Sequence, residues 1–283
     1  MFDCDNLRTP KLVSDDVEKE ARIAWDKAWS GQLYEDAIAL ITARSGQVDI
    51  AIELGAITET SRVLDVGCGP GVLSESLATV AESVEGIDFL ASMIELAQKR
   101  RTDANFQVAD AEQLPFNDGE FDAAICCYTA HHFLRPDVVF RELYRVLKPG
   151  GRLAILHPVQ GETATFRAIY QTLGDVLPAE QIVNFPALEG RLYEVASVGP
   201  YESLLGECGF VNVVAEKRQK DCVVPGKEAL IELVARIGKI DASSNDTHCA
   251  LTDSLVTTAG KYEQNDGSYR FPDRIIAARG LKP

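Results

Sequence analysis

Three glycines at alternate positions, Gly67, Gly69 and Gly71, close the apolar run "VLDV", which carries Asp65 at its inner end. Glycine at such a spacing lets a ligand come close to the main chain, because no Cβ stands in the way. A second acid, Asp88, lies about twenty residues beyond, where a carboxylate can accept both hydroxyls of a ribose. A third, Asp110 in "ADAEQLPF", ends a further strand-like run, and its carboxylate can accept the exocyclic amine of an adenine. Phe89 and Met93 offer apolar faces for such a ring. A different chemistry is carried by the histidines. His131 and His132 follow one strand-like run and His157 ends another, so His132 and His157 are candidates for removing or orienting a proton.

Those residues need elements to hold them. Short apolar runs at 62–67, 83–88, 105–110, 121–128 and 151–158 alternate with amphipathic stretches, the pattern of a parallel sheet wrapped by helices. Between the fourth and fifth runs, Pro136 opens a helix with Val139, Leu143, Val146 and Leu147 on one face, and Gly150 and Gly151 stop it. Residues 14–55 and 160–200 read as mainly helical, with Phe166, Tyr170 and Leu173 recurring at helical spacing. Helices are also expected at 201–210, 227–238 and 251–264, with strands at 211–224 and 273–280. The division expected is a helical lid at 1–58, a ligand-binding core at 59–158, and helical insertions with closing strands at 159–283.

Composition narrows the ligand. The chain has 283 residues, 46% of them hydrophobic and 25% charged, with a formal charge of −15. That surplus of acid disfavours nucleic acid as a partner and leaves a small molecule as the expected one. No stretch approaches the roughly 18 apolar residues of a membrane span, and "MFDCDNLRTPKLVSDD" lacks a leader's apolar core, so a cytoplasmic protein is expected. Seven cysteines with no paired-ligand spacing read as reduced thiols, and no metal is expected. Dinucleotide binding is disfavoured because Val72 occupies the place of that fingerprint's third small residue.

Together, "VLDVGCGPG", "GIDFLASMIELA", "ADAEQLPFNDGEFDAAICCYTAHHF" and "RELYRVLKPGGRLAIL" resemble the class I S-adenosylmethionine-dependent methyltransferases, in particular the small-molecule group related to the ubiquinone and menaquinone enzymes. The resemblance implies a doubly wound α/β fold: a mostly parallel seven-stranded sheet, last strand antiparallel, with a helical lid and insertions. It implies S-adenosylmethionine as cofactor, with Asp65, Gly67 and Gly71 around the methionine part and Cys68 and Gly69 in the same loop. It further implies Asp88 on the ribose, Asp110 on the adenine amine, Ala111 and Glu112 beside the ring, Cys127 through its main chain, and Tyr34 in the lid. The activity implied is methyl transfer to O, N or C of a small molecule. The alternative on the same fold is a non-methylating step such as cyclisation. A homodimer is one assembly the fold admits. Phe166, Tyr170, Phe185, Tyr193 and Tyr201 are expected either to line the acceptor site or to pack inserted helices, with Arg167 and Arg191 as partners for an acidic acceptor.

Overall fold

The computed structural model describes residues 46–159, 162–178 and 199–283. Its centre is a seven-stranded sheet: β1 (Arg62–Val66), β2 (Ser83–Asp88), β3 (Asn105–Val108), β4 (Phe121–Cys127), β5 (Leu147–Pro158), β6 (Val211–Val224) and β7 (Tyr269–Leu281). The spatial order is β3-β2-β1-β4-β5-β7-β6. The first five strands run parallel, whereas β7 is antiparallel to both β5 and β6. This is the doubly wound arrangement expected, with β7 between β5 and β6.

Order reverses at β1, which pairs with β2 on one side and β4 on the other. The crevice of an open α/β sheet lies outside the carboxyl ends of the strands at that reversal. The glycine loop leaves β1 there. β1 has four buried residues in a row from Val63 to Asp65 and Val66, as a strand covered on both faces must.

Helices cover the two faces. On one, α4 (Pro136–Val146) buries Val139, Phe140, Leu143 and Val146 together with Leu205 and Tyr201 of α6 (Gly199–Glu207). On the other, α1 (Gln47–Gly55) buries Ala51 and Leu54 with Leu73 and Leu77 of α2 (Val72–Leu77). A salt bridge from Arg218 of β6 to Glu53 (2.8 Å) fastens α1 across the sheet. The short α3 (Ala91–Ala97) follows β2.

A second apolar cluster stands apart from the sheet's own cores. It gathers α5 (Ala164–Val176), α7 (Lys227–Gly238) and α8 (Asn245–Thr258) around Cys222, Val224, Tyr269 and Phe271. Its footing is a two-stranded arm. β7 pairs with β5 only as far as Ile275, yet continues beside β6 to Tyr269, so the hairpin projects beyond the carboxyl end of β5 and carries the helices with it.

Several sequence boundaries are corrected. β3 ends at Val108, before Asp110, because residues 109–114 turn back on themselves; β7 begins at Tyr269 on the arm; and β5 begins at Leu147, which pairs with Phe121. The segment "SSNDTHC" carries the start of α8. Ser244 accepts the Thr247 amide and caps α8, which therefore starts six residues earlier than the pattern of apolar residues indicates, and His248 bonds Glu228 (3.0 Å). The expected lid lies outside the described residues up to position 45, as do Tyr34, Phe185, Tyr193 and Arg191.

Candidate functional site

All three loop glycines adopt left-handed φ: +67° at Gly67, +53° at Gly69 and +78° at Gly71. What surrounds them differs. A Cβ on Gly67 would lie 2.2 Å from Thr129 Cγ2, and one on Gly71 2.8 Å from the Phe106 ring. A Cβ on Gly69 would meet nothing within 4 Å. Two of the glycines are thus bare because protein packs against them, and the middle one because it faces open space.

The loop is held from several sides. Cys68 N–H donates to Ile87 O (2.9 Å) and Gly71 N–H to Cys68 O (3.0 Å). Arg100 donates from Nε to Pro70 O and from Nη1 to Glu75 (2.6 Å). Thr129 Oγ1 donates toward Gly67 O (3.1 Å) and Cys127 O (3.2 Å), joining the end of β4 to the loop.

Asp88 ends β2 beside it. Its Oδ2 accepts Gly69 N–H (3.0 Å) and its Oδ1 accepts Leu90 N–H (2.9 Å), so one carboxylate ties loop, strand and the start of α3 together. The Phe89 amide adds a third backbone hydrogen bond to the same carboxylate. Burial pushes its pKa up to about 6. Asp65 is deeper. Ser74 Oγ donates to its Oδ2 (2.6 Å), and desolvation raises its carboxyl to about 7, with the charge of Asp88 adding to the rise.

Asp110 shapes the next turn: Oδ1 accepts Glu112 N–H (2.9 Å) and its main-chain O accepts Gln113 N–H (3.1 Å). Arg145 of α4 holds the same loop through Leu114 O (3.0 Å) and Phe116 O (2.8 Å). Ala111 is half-buried in it, and Glu112 pairs with Arg135. Phe89 is half-buried against Leu90, Met93 and Leu96, and Met93 itself is buried in that cluster.

The histidines converge. The His131 ring lies 3.7 Å from that of His132 and 4.8 Å, edge-on, from that of His157. His131 is therefore part of the group. Tyr201 stands 6.3 Å from His157 and is fully buried between sheet and α6. Phe166 and Tyr170 stack on one another against the arm's helices. Desolvation lowers His132 to about 3 and His157 to about 4, and pushes His131 well below the ordinary range, so all three are neutral imidazoles near pH 7.

Sequence reasoning passed over Ser74, Arg100, Thr129 and Gln47, whose side chain accepts a weak Cys127 Sγ contact at 3.7 Å. None forms a motif with its partner, because the pairs come from different elements. It also passed over Lys220, buried in phase with Cys222 and Val224 on β6; a lysine in an apolar two-residue period was the signal available.

Comparison with known proteins decides the family. The methyltransferase-domain family model matches residues 64–155. The demethylmenaquinone methyltransferase of Thermus thermophilus is 35% identical over 179 residues, covering 55% of this chain and 80% of that protein. The chain belongs to the class I S-adenosylmethionine-dependent methyltransferases. Within that methyltransferase family, the demethylmenaquinone enzyme of Renibacterium salmoninarum is 38% identical over 122 residues, 42% of this chain and 50% of that one. The chain thus spans about half the length of the first curated relatives it matches. In fold it is similar to the phosphoethanolamine N-methyltransferase 2 of Haemonchus contortus (TM-score 0.58, 18% identity, 96% of this chain and 61% of that one). The residues of this chain fit the family's cofactor. Open space at Gly69, the carboxylate of Asp88 beside it and the buried acid Asp65 suit a close main-chain approach, a ribose and an ammonium respectively. Among the described residues, no group of three or more His, Cys, Asp or Glu side chains could hold a metal, and no helix is long and apolar enough to cross a membrane.

Proposed function

We propose that this chain transfers a methyl group from S-adenosylmethionine to a small-molecule acceptor. The observation that carries the reading is Asp88 joined to Gly69 at the carboxyl end of β2, with Gly69 open in front of it. S-adenosylmethionine supplies a methyl group already activated on a sulfonium, so the protein's task is alignment and exclusion of water. Asp88 accepts the ribose hydroxyls, Asp110 the adenine amine, and Asp65 balances the ammonium of the methionine part. Cys127 contributes its main-chain carbonyl, and Ala111 and Glu112 flank the ring.

On the acceptor side, His132 and His157 act as neutral hydrogen-bond acceptors that orient a hydroxyl or amine. Imidazoles shifted to about 3 and 4 are weak bases, which favours orientation over full proton removal. The relatives' names point to a reduced demethylated naphthoquinone as the first acceptor to try. The test is incubation with S-adenosylmethionine carrying a deuterated methyl and that quinol, followed by mass spectrometry. Labelled product with an equal amount of S-adenosylhomocysteine supports methyl transfer. A changed acceptor with intact cofactor assigns a non-methylating reaction instead.

A further inference from the structure

Thr129 holds the glycine loop with its side chain and the turn carrying His132 with its main chain. The β1–β4 ladder ends with Asp65 opposite Ile125, before either strand reaches its loop. Beyond it, Thr129 Oγ1 donates toward Gly67 O (3.1 Å) and Cys127 O (3.2 Å), one proton shared between the glycine loop and the end of β4. Its Cγ2 lies over Gly67, in the space that a Cβ there would need. Its main-chain O accepts His132 N–H (2.8 Å) and closes the short 3₁₀ turn Ala130–His132.

The chain bends sharply to bring Thr129 there. Tyr128, just before it, has a left-handed φ of +59°, which a bulky side chain adopts only at a cost in energy. The Tyr128 N–H donates to Leu156 O (2.8 Å), so the bend is fastened to β5. The other end of the contact is held as firmly. Cys68 N–H donates to Ile87 O (2.9 Å) and Gly69 N–H to Asp88 Oδ2 (3.0 Å).

We propose that Thr129 is a positioning residue: it fixes the glycine loop relative to the turn carrying His132, and passes a displacement of the loop on cofactor binding to that turn. This rests on the methyl-transfer reading, in which Gly69 meets the cofactor and His132 orients the acceptor. The contacts of Thr129 then set how the sulfonium methyl and the acceptor atom line up. In-line transfer is sensitive to that alignment, since a misplacement of about 1 Å can cost about 10²-fold in rate.

Imidazole NMR on the full chain reads the link without an acceptor. The chain has four histidines, so isotopically labelled histidine gives four ring signals, and His132→Gln assigns one of them. His248 on α8, bonded to Glu228, is a distant reference. Calorimetry with S-adenosylhomocysteine comes first; absence of binding to the wild type overturns the methyl-transfer reading itself. With S-adenosylhomocysteine bound, the wild-type His132 signal is expected to shift while that of His248 stays. Thr129→Val keeps the methyl over Gly67 and removes the hydroxyl. It is expected to lose the His132 shift at saturating S-adenosylhomocysteine, with affinity lowered about threefold to tenfold, the worth of one neutral hydrogen bond. Thr129→Ser keeps the hydroxyl and is expected to keep the shift, which also decides the matter should Thr129→Val not fold. A direct effect of the ligand on the ring would survive in Thr129→Val. A shift of wild-type size in that variant, its loss in Thr129→Ser, or a bound wild type whose His132 signal does not move overturns the proposal.

Discussion

Thr129 occupies the space that a side chain on Gly67 would need, with its Cγ2 2.2 Å from the position of a Cβ there. Gly69, two residues on, has nothing within 4 Å of the same position. Substitutions at the two glycines should therefore fail for different reasons. Gly67→Ala should destabilise the fold by about 2–4 kcal/mol, combining overpacking with a left-handed φ. Gly69→Ala should cost about 1 kcal/mol of strain in stability. Its larger effect should be on S-adenosylhomocysteine binding, because the methyl enters the ligand's space. Chemical denaturation and calorimetry on both variants separate the two. Equal loss of stability in both would refute the distinction.

Asp88 supports the loop and, in the proposed function, the ribose. Asp88→Ala should weaken S-adenosylhomocysteine binding by roughly tenfold to over a hundredfold, the worth of a charge-assisted pair at about 1.5–3 kcal/mol. It should also lower the melting temperature, since the Gly69 and Leu90 amides lose their acceptor. Wild-type affinity in a folded Asp88→Ala protein would remove Asp88 from the ribose.

Asp65, raised to about 7 by burial, binds a proton at pH 6 and releases it by pH 8. A ligand ammonium prefers the ionised form. S-adenosylhomocysteine affinity should accordingly rise roughly tenfold between those pH values, by proton linkage. Asp65→Asn should abolish the rise and bind as the wild type does at pH 6. A wild-type affinity independent of pH would show that Asp65 does not face the ammonium.

The imidazoles give the opposite sign in stability. His157 has a folded value near 4, below its unfolded value, so the unfolded chain binds the extra proton. Its contribution is fully present above about pH 6.5 and is lost as pH falls toward 4. His157→Leu should therefore gain about 2 kcal/mol relative to the wild type on going from pH 7 to pH 4.5. Urea titrations at the two pH values measure it. No relative gain would mean that His157 titrates normally.

His132→Ala tests orientation against base catalysis. Loss of one neutral hydrogen bond, about 0.5–1.5 kcal/mol, should lower turnover by about threefold to tenfold at unchanged cofactor affinity. A loss of about 10²–10⁴-fold that shrinks at high pH would instead make His132 a general base.

Much of this was legible in the chain. The runs at 62–66 and 121–127 are buried on both faces because central parallel strands are covered twice, and Asp65, Asp88 and the glycines mark the carboxyl ends of β1 and β2. Local chemistry was enough for those. The start of α8 was missed because its first turn is polar and exposed, held by the Ser244 cap and not by burial. The meeting of His131, His132 and His157 depended on β4 and β5 lying side by side, with Cys127 opposite Leu156. Thr129 against Gly67 spans 62 residues of sequence, and Thr165 against Asp273 spans 108. Which acid is already paired is a question of three-dimensional charge partnership. Residue type and spacing along the chain determine the strands and the loop; only packing between distant elements decides what each buried charge faces.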